Sequence, residues 1–162
     1  MRMHSSNLVC GIAVTIAVAV CGCSRATTPA DTKPATNATT SLIVSLGRTF
    51  LVQGAILAKY RDSGGPSGWL GEPTSSEKPG PKGGRFNEFQ SGAIYWTQHT
   101  GAHTVSGQIL WAWTADGGPD GQLGYPASDE QTVPGGTTSS FEYGTVDCLN
   151  GHTSIHVGPA SP

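Results

Sequence analysis

One phrase occurs twice in the chain and constrains what it can fold into more than any other feature. Gly64-Gly65-Pro66-Ser67-Gly68-Trp69-Leu70-Gly71-Glu72-Pro73-Thr74-Ser75-Ser76-Glu77 returns as Gly117-Gly118-Pro119-Asp120-Gly121-Gln122-Leu123-Gly124-Tyr125-Pro126-Ala127-Ser128-Asp129-Glu130. Both copies follow GGPxGxLGxPxSxE at a constant offset of 53, without a gap. A period of this length marks a repeat architecture, in which each unit is one supersecondary block that buries its apolar face against a neighbour. With 23 glycines and 11 prolines, the units must be made of short elements joined by tight turns.

The repeat extends to both sides of the phrase. Upstream, Val52 to Tyr60 aligns with Val105 to Trp113, placing Ile56, Leu57 and Tyr60 at the same spacing as Ile109, Leu110 and Trp113. That stripe predicts short helices near 55–63 and 108–116, with Ser106 as a possible N-cap and the paired glycines as C-caps at positive φ. Downstream the period becomes two. Residues 84–90, a turn at Ser91-Gly92 and residues 93–98 read as a hairpin, with 102–105 as a third strand. In copy two, 141–146 is the counterpart and the tail 153–158 replaces the third strand. Gly135-Gly136 matches Gly83-Gly84 at an offset of 52, so one residue, read as Lys82, is missing there. Segments 42–45 and 49–52 look like the last two strands of a preceding unit. The expected fold is mainly β with short helices (α+β): tandem units 52–104 and 105–157 within a domain 42–162. Each unit is a short helix, a Gly/Pro-rich loop and a small antiparallel hairpin or three-stranded sheet.

Leu70-Gly71-Glu72-Pro73, Leu123-Gly124-Tyr125-Pro126, the Phe-x-x-Gly-x-Ile element from Phe89 to Ile94 and the Val-x-Gly-x-Ile lead-in resemble LGFP repeats. These repeats occur in secreted actinobacterial proteins, including mycolyltransferases and peptidoglycan amidases. The resemblance implies attachment to an arabinogalactan-containing wall and a propeller-like, radial arrangement of repeats, which two copies cannot close into a ring. The chain departs from the pattern where Tyr95-Trp96 becomes Asp147-Cys148.

The N-terminus reads as a targeting segment. An uncharged apolar run, Leu8 to Val20, is too short to span a bilayer and meets Val20-Cys21-Gly22-Cys23. This resembles a bacterial lipobox, giving a signal peptide 1–22 and lipidation at Cys23; an ordinary secretory signal is the alternative. Residues 23–41, rich in Ala, Thr and Pro, read as a disordered tether. Cys148 is then the one free thiol of the mature chain, either a small buried hydrophobe or an intermolecular disulfide partner. Arg85 is the last Lys or Arg, and seven carboxylates follow it from Glu88 to Asp147. An uncompensated acidic half argues against nucleic acid and anionic membrane surfaces and is compatible with a neutral sugar polymer, a cation or a basic partner.

The candidate ligand-binding residues are aromatic: Trp69, Trp111, Tyr95, Trp96 and Tyr125. Trp69 corresponds to Gln122 and Trp111 to Ala58, so the fold does not require aromatics at these two positions. Tyr60/Trp113 and Phe89/Phe141 are aromatic in both copies and read as core. Glu77 and Glu130 share a repeat position and could suggest a glycosidase pair, but a recurring Ser-x-Glu after Pro reads better as a turn or capping device. No catalytic residue, metal site or cofactor is expected. Asp116, Asp120, Asp129 and Glu130 lack EF-hand spacing, and the histidines lack zinc-like spacing. The expectation is a lipid-anchored, extracytoplasmic envelope protein at the membrane's outer face and the wall, binding cell-wall polysaccharide. The alternative is a protein-interaction module that docks an envelope enzyme or other repeat chains.

Overall fold

A computed structural model describes residues 40–45 and 47–158. The expected signal segment, Cys23 and nearly all of the tether lie outside the described residues. In copy one the glycine pair ends a helix in the left-handed region: Gly64 has φ +96° and its N–H donates to the carbonyl of Arg61. Gly117, at φ +107°, does the same toward Thr114. The helices α1 (Gly54–Asp62) and α2 (Gly107–Ala115) each start one residue earlier than the periodicity predicts. Their buried stripes are Ile56, Leu57, Tyr60 and Ile109, Ala112, Trp113; Leu110 is only half-buried. Ser106 does not cap α2 with its side chain. Its hydroxyl donates instead to Glu130 Oε1 at 2.8 Å.

All strand pairs are antiparallel. β1 (Thr40–Ser45) and β2 (Arg48–Gln53) form the leading pair expected from the sequence. The first full sheet runs β3 (Lys78–Pro79), β4 (Arg85–Phe89), β5 (Gly92–Thr97), β6 (Gly101–Ser106). The second runs β7 (Gln131–Val133), β8 (Gly136–Phe141), β9 (Gly144–Leu149), β10 (His152–Val157). Each full sheet thus has four strands instead of the two or three expected. The added strands β3 and β7 are too short, and Lys78-Pro79 too polar, to show a period of two. The missing residue is also accounted for. Gly80 and Gly84 close a three-residue loop whose Lys82 sits at φ +52°, and in copy two Val133 and Gly136 close over Pro134-Gly135 alone.

The core alternates sheet, helix, sheet. One cluster joins Ile43 and Val52 of the leading pair, α1, and Phe89, Ile94 and Trp96 of the first sheet. The other joins Phe86, Ala93, Tyr95 and Val105 of the first sheet, α2, and Phe141 and Val146 of the second. Each helix is therefore shared between two successive sheets. On the far face of the second sheet the apolar set Phe86, Ala93, Tyr95, Val105 is replaced, register for register, by Thr138, Thr145, Asp147 and His156. Asp147 Oδ1 accepts from the Thr138 hydroxyl, and its Oδ2 lies 3.4 Å from His156 Nε2. The change of Tyr95-Trp96 to Asp147-Cys148 is thus a polar facing, of the kind that ends a row of repeats. Cys148 is half-buried against the core, and its thiol donates to Gln108 Oε1 at 2.8 Å.

Candidate functional site

The doubled phrase is scaffold at the positions that both copies keep. Leu70 and Leu123 are fully buried. Gly71 (φ +72°) and Gly124 (φ +69°) turn their carbonyls toward the preceding helix, where Tyr60 Oη donates to Gly71 at 2.9 Å and Trp113 Nε1 to Gly124 at 3.0 Å. The next N–H is capped from the hairpin turn, by Gln90 Oε1 for Glu72 and by Glu142 Oε2 for Tyr125. Pro73 and Pro126 bridge to Phe89 and Phe141.

The Ser-x-Glu element then ties each unit to the preceding sheet. Ser75 and Ser128 hydroxyls accept from the N–H groups of Glu88 and Ser140 in their own units. The following residues reach backward: Ser76 Oγ accepts from Leu51 N–H, and Asp129 Oδ1 from Thr104 N–H and hydroxyl. Glu77 Oε1 accepts from Gln53 Nε2 and Arg85 Nη1, while Glu130 Oε1 accepts from Ser106 N–H and Oγ. Asp129 also pairs with Lys59 Nζ. Burial pushes its carboxyl up, but the hydrogen bonds from Lys59 and the Thr104 N–H outweigh this and hold it below the usual range. Among the described residues, no group of three or more His, Cys, Asp or Glu side chains could hold a metal ion.

The five candidate aromatics separate. Tyr95 and Tyr125 are core residues, 8% and 1% exposed. Tyr95 meets Trp113 edge-on at 4.6 Å between ring centroids, and burial together with Glu88 and Tyr125 pushes its hydroxyl up to about 12. Tyr125 Oη donates to the Pro81 carbonyl at 2.8 Å, and burial raises its pKa as well. Trp69 and Trp111 stand in solvent, 53% and 72% exposed. Trp111 borders a cavity of about 490 Å³ with Gln90, Tyr95, Leu110 and Thr114, and Trp69 another of about 490 Å³ with Lys59, Asp62 and Glu130. Trp96 is half-buried and lines a groove of about 360 Å³ with Gln53, Ala55, Glu77 and Arg85. Sequence reasoning missed Gln53 and Arg85. The available signal was that Arg85 is the last cation before the acidic half.

The family model of the LGFP repeat matches residues 70–121, from one Leu-Gly-x-Pro to just before the next. The chain contains an LGFP repeat. No curated protein matches it. The matched LGFP unit holds the first four-stranded sheet and α2, so the family's repeat is cut at the Leu-Gly turn and not before the helix. Its aromatic–Gly carbonyl bond and its backward clamp recur in the second copy.

Proposed function

We propose that this LGFP-repeat protein is a non-enzymatic, lipid-anchored envelope protein that binds cell-wall polysaccharide, arabinogalactan or peptidoglycan. Lipid on Cys23 would hold it at the outer face of the membrane, and residues 40–158 would engage the wall. One observation carries the reading: Trp69 and Trp111, which stand opposite the non-aromatic Gln122 and Ala58 of the other copy, are left in solvent. The aromatics that both copies keep, Tyr60/Trp113 and Phe89/Phe141, are buried. A large indole kept exposed where the fold asks for none suits stacking on the C–H face of a sugar ring, with polar side chains beside it. Glu77 and Glu130 support the non-enzymatic reading, because both are engaged in holding the repeats together. In a co-sedimentation experiment with purified arabinogalactan and with peptidoglycan, the wild-type chain is expected in the bound fraction with at least one polymer. Retention by neither would sink the proposal.

A second reading, docking to another protein, is favoured by Leu42 and Val44. These lie exposed on β1 where the equivalent residues Ile94 and Trp96 are packed against the core. Light scattering separates the two: a monomer that binds glycan supports the first, an obligate oligomer without glycan affinity the second.

A further inference from the structure

The two copies offer the same groove position in opposite states. In copy one it lies between the end of the leading strand pair, the first turn of α1 and the first full sheet. Its polar wall is a compensated set: Glu77 Oε1 accepts from Gln53 Nε2 at 3.0 Å and from Arg85 Nη1 at 2.9 Å. Among the described residues, Glu77 Oε2, Gln53 Oε1 and the remaining guanidinium N–H groups have no protein partner. The apolar wall is Ile56 and the half-buried indole of Trp96, and exposed Ala55 leaves the mouth open.

In copy two, Ala55 becomes Gln108, Trp96 becomes Cys148 and Arg85 becomes Thr137, while Glu77 remains as Glu130. There the Gln108 side chain reaches across the position: its Oε1 accepts from Cys148 Sγ and, at 3.3 Å, from Thr153 Oγ1. Glu130 turns to Ser106. The indole, the guanidinium and the open mouth are lost together, although the scaffold beneath them is the same.

We infer that the Trp96 groove is a single subsite for one neutral sugar residue of the wall polymer, and that copy two has no such subsite. The inference rests on the polysaccharide reading above. The chemistry that selects the ligand is the combination of acceptors (Glu77 Oε2, Gln53 Oε1) and donors (Arg85) beside one aromatic face. A sugar ring presents vicinal hydroxyls that both donate and accept, and a C–H face for the indole. The Arg85–Glu77 pair leaves the groove without net charge, so neither an anionic nor a cationic ligand finds an unpaired counter-charge there, which favours a neutral one. A volume of about 360 Å³ falls at the small end of ligand sites.

The test is calorimetric titration of soluble arabinogalactan fragments into the chain. The variants are Ala55→Gln, which imports the copy-two plug, Arg85→Thr, which imports its wall residue, and Trp111→Ala. Residues 55 and 85 are exposed, so both groove variants are expected to keep the wild-type melting temperature while losing about tenfold or more in affinity. If both groove variants bind as wild type, the groove is not the subsite; if Trp111→Ala alone loses binding, the polysaccharide reading stands without it. If the wild type gives no binding to these fragments or to peptidoglycan, the polysaccharide reading itself falls, and the groove assignment with it.

Discussion

At the scale of the residue, the Ser-x-Glu element explains why carboxylates recur at the repeat period: they hold each unit to the preceding sheet. Asp129 and Glu130 close the joint between the first sheet and copy two by accepting from Thr104 and Ser106. Asp129 has a lowered folded-state pKa, so its contribution to stability is present above the unfolded carboxylate value of about 3.9 and is lost as pH falls through the folded value. Thermal melts at pH 7 and pH 3 check this. Asp129→Asn should melt lower than wild type at pH 7 and fall less on acidification; equal acid sensitivity would contradict it. Glu130→Gln should cost on the order of 1–3 kcal/mol in denaturant unfolding, because a charged acceptor for two Ser106 donors is weakened. The role of the motif was legible as a repeated structural device, but its partners were not. The backward partners lie 24 or 25 residues earlier in the chain, on a strand of the preceding unit. Tyr95 was misread for a related reason. Ala93, Tyr95 and the cross-strand Phe86 mark one face of β5, and only the position of α2 decides that this face is covered.

At the scale of the element, Leu-Gly-x-Pro is a turn held from four sides. A Cβ built on Gly71 would come within 2.4 Å of Gln90 Oε1, and one on Gly124 within 2.4 Å of Glu142 Oε2, in addition to the cost of positive φ. Gly71→Ala and Gly124→Ala should each destabilise by about 2 kcal/mol or more, measured as a fall in the urea midpoint with an unchanged slope. Tyr60→Phe, which removes only the bond to the Gly71 carbonyl, should cost about 1 kcal/mol. The helices, the hairpin of copy one and the leading strand pair were readable because each carries an apolar period of its own. In contrast β8, Gly-Thr-Thr-Ser-Ser-Phe, carries none, and the expected segment 141–146 is the end of β8, a turn and the start of β9. The edge strands β3 and β7 carry none. Their pairing follows from the clamp just before them, which delivers residues 78 and 131 alongside β4 and β8.

At the scale of the whole molecule, the row of sheets has unlike ends. The last sheet turns Thr138, Thr145, Asp147 and His156 outward where the first presents Phe86, Ala93, Tyr95 and Val105 to its neighbour, whereas the leading pair exposes Leu42 and Val44. A further sheet packed on the far face of the last one would meet polar side chains at these four positions. Restoring that face with Asp147→Tyr and Thr138→Phe should produce concentration-dependent association in light scattering, and an unchanged particle mass would show that the polar facing does not govern assembly. The same comparison of copies carries the functional account, whose central claim is that binding resides where the copies differ and not in the phrase they share. The direct measurement is the double variant Trp69→Gln, Trp111→Ala, which gives each position the other copy's residue. Compared with wild type in melting temperature and in retention on the wall polymer, it should melt within a few degrees and lose most of its retention. Full retention by this variant would contradict the claim.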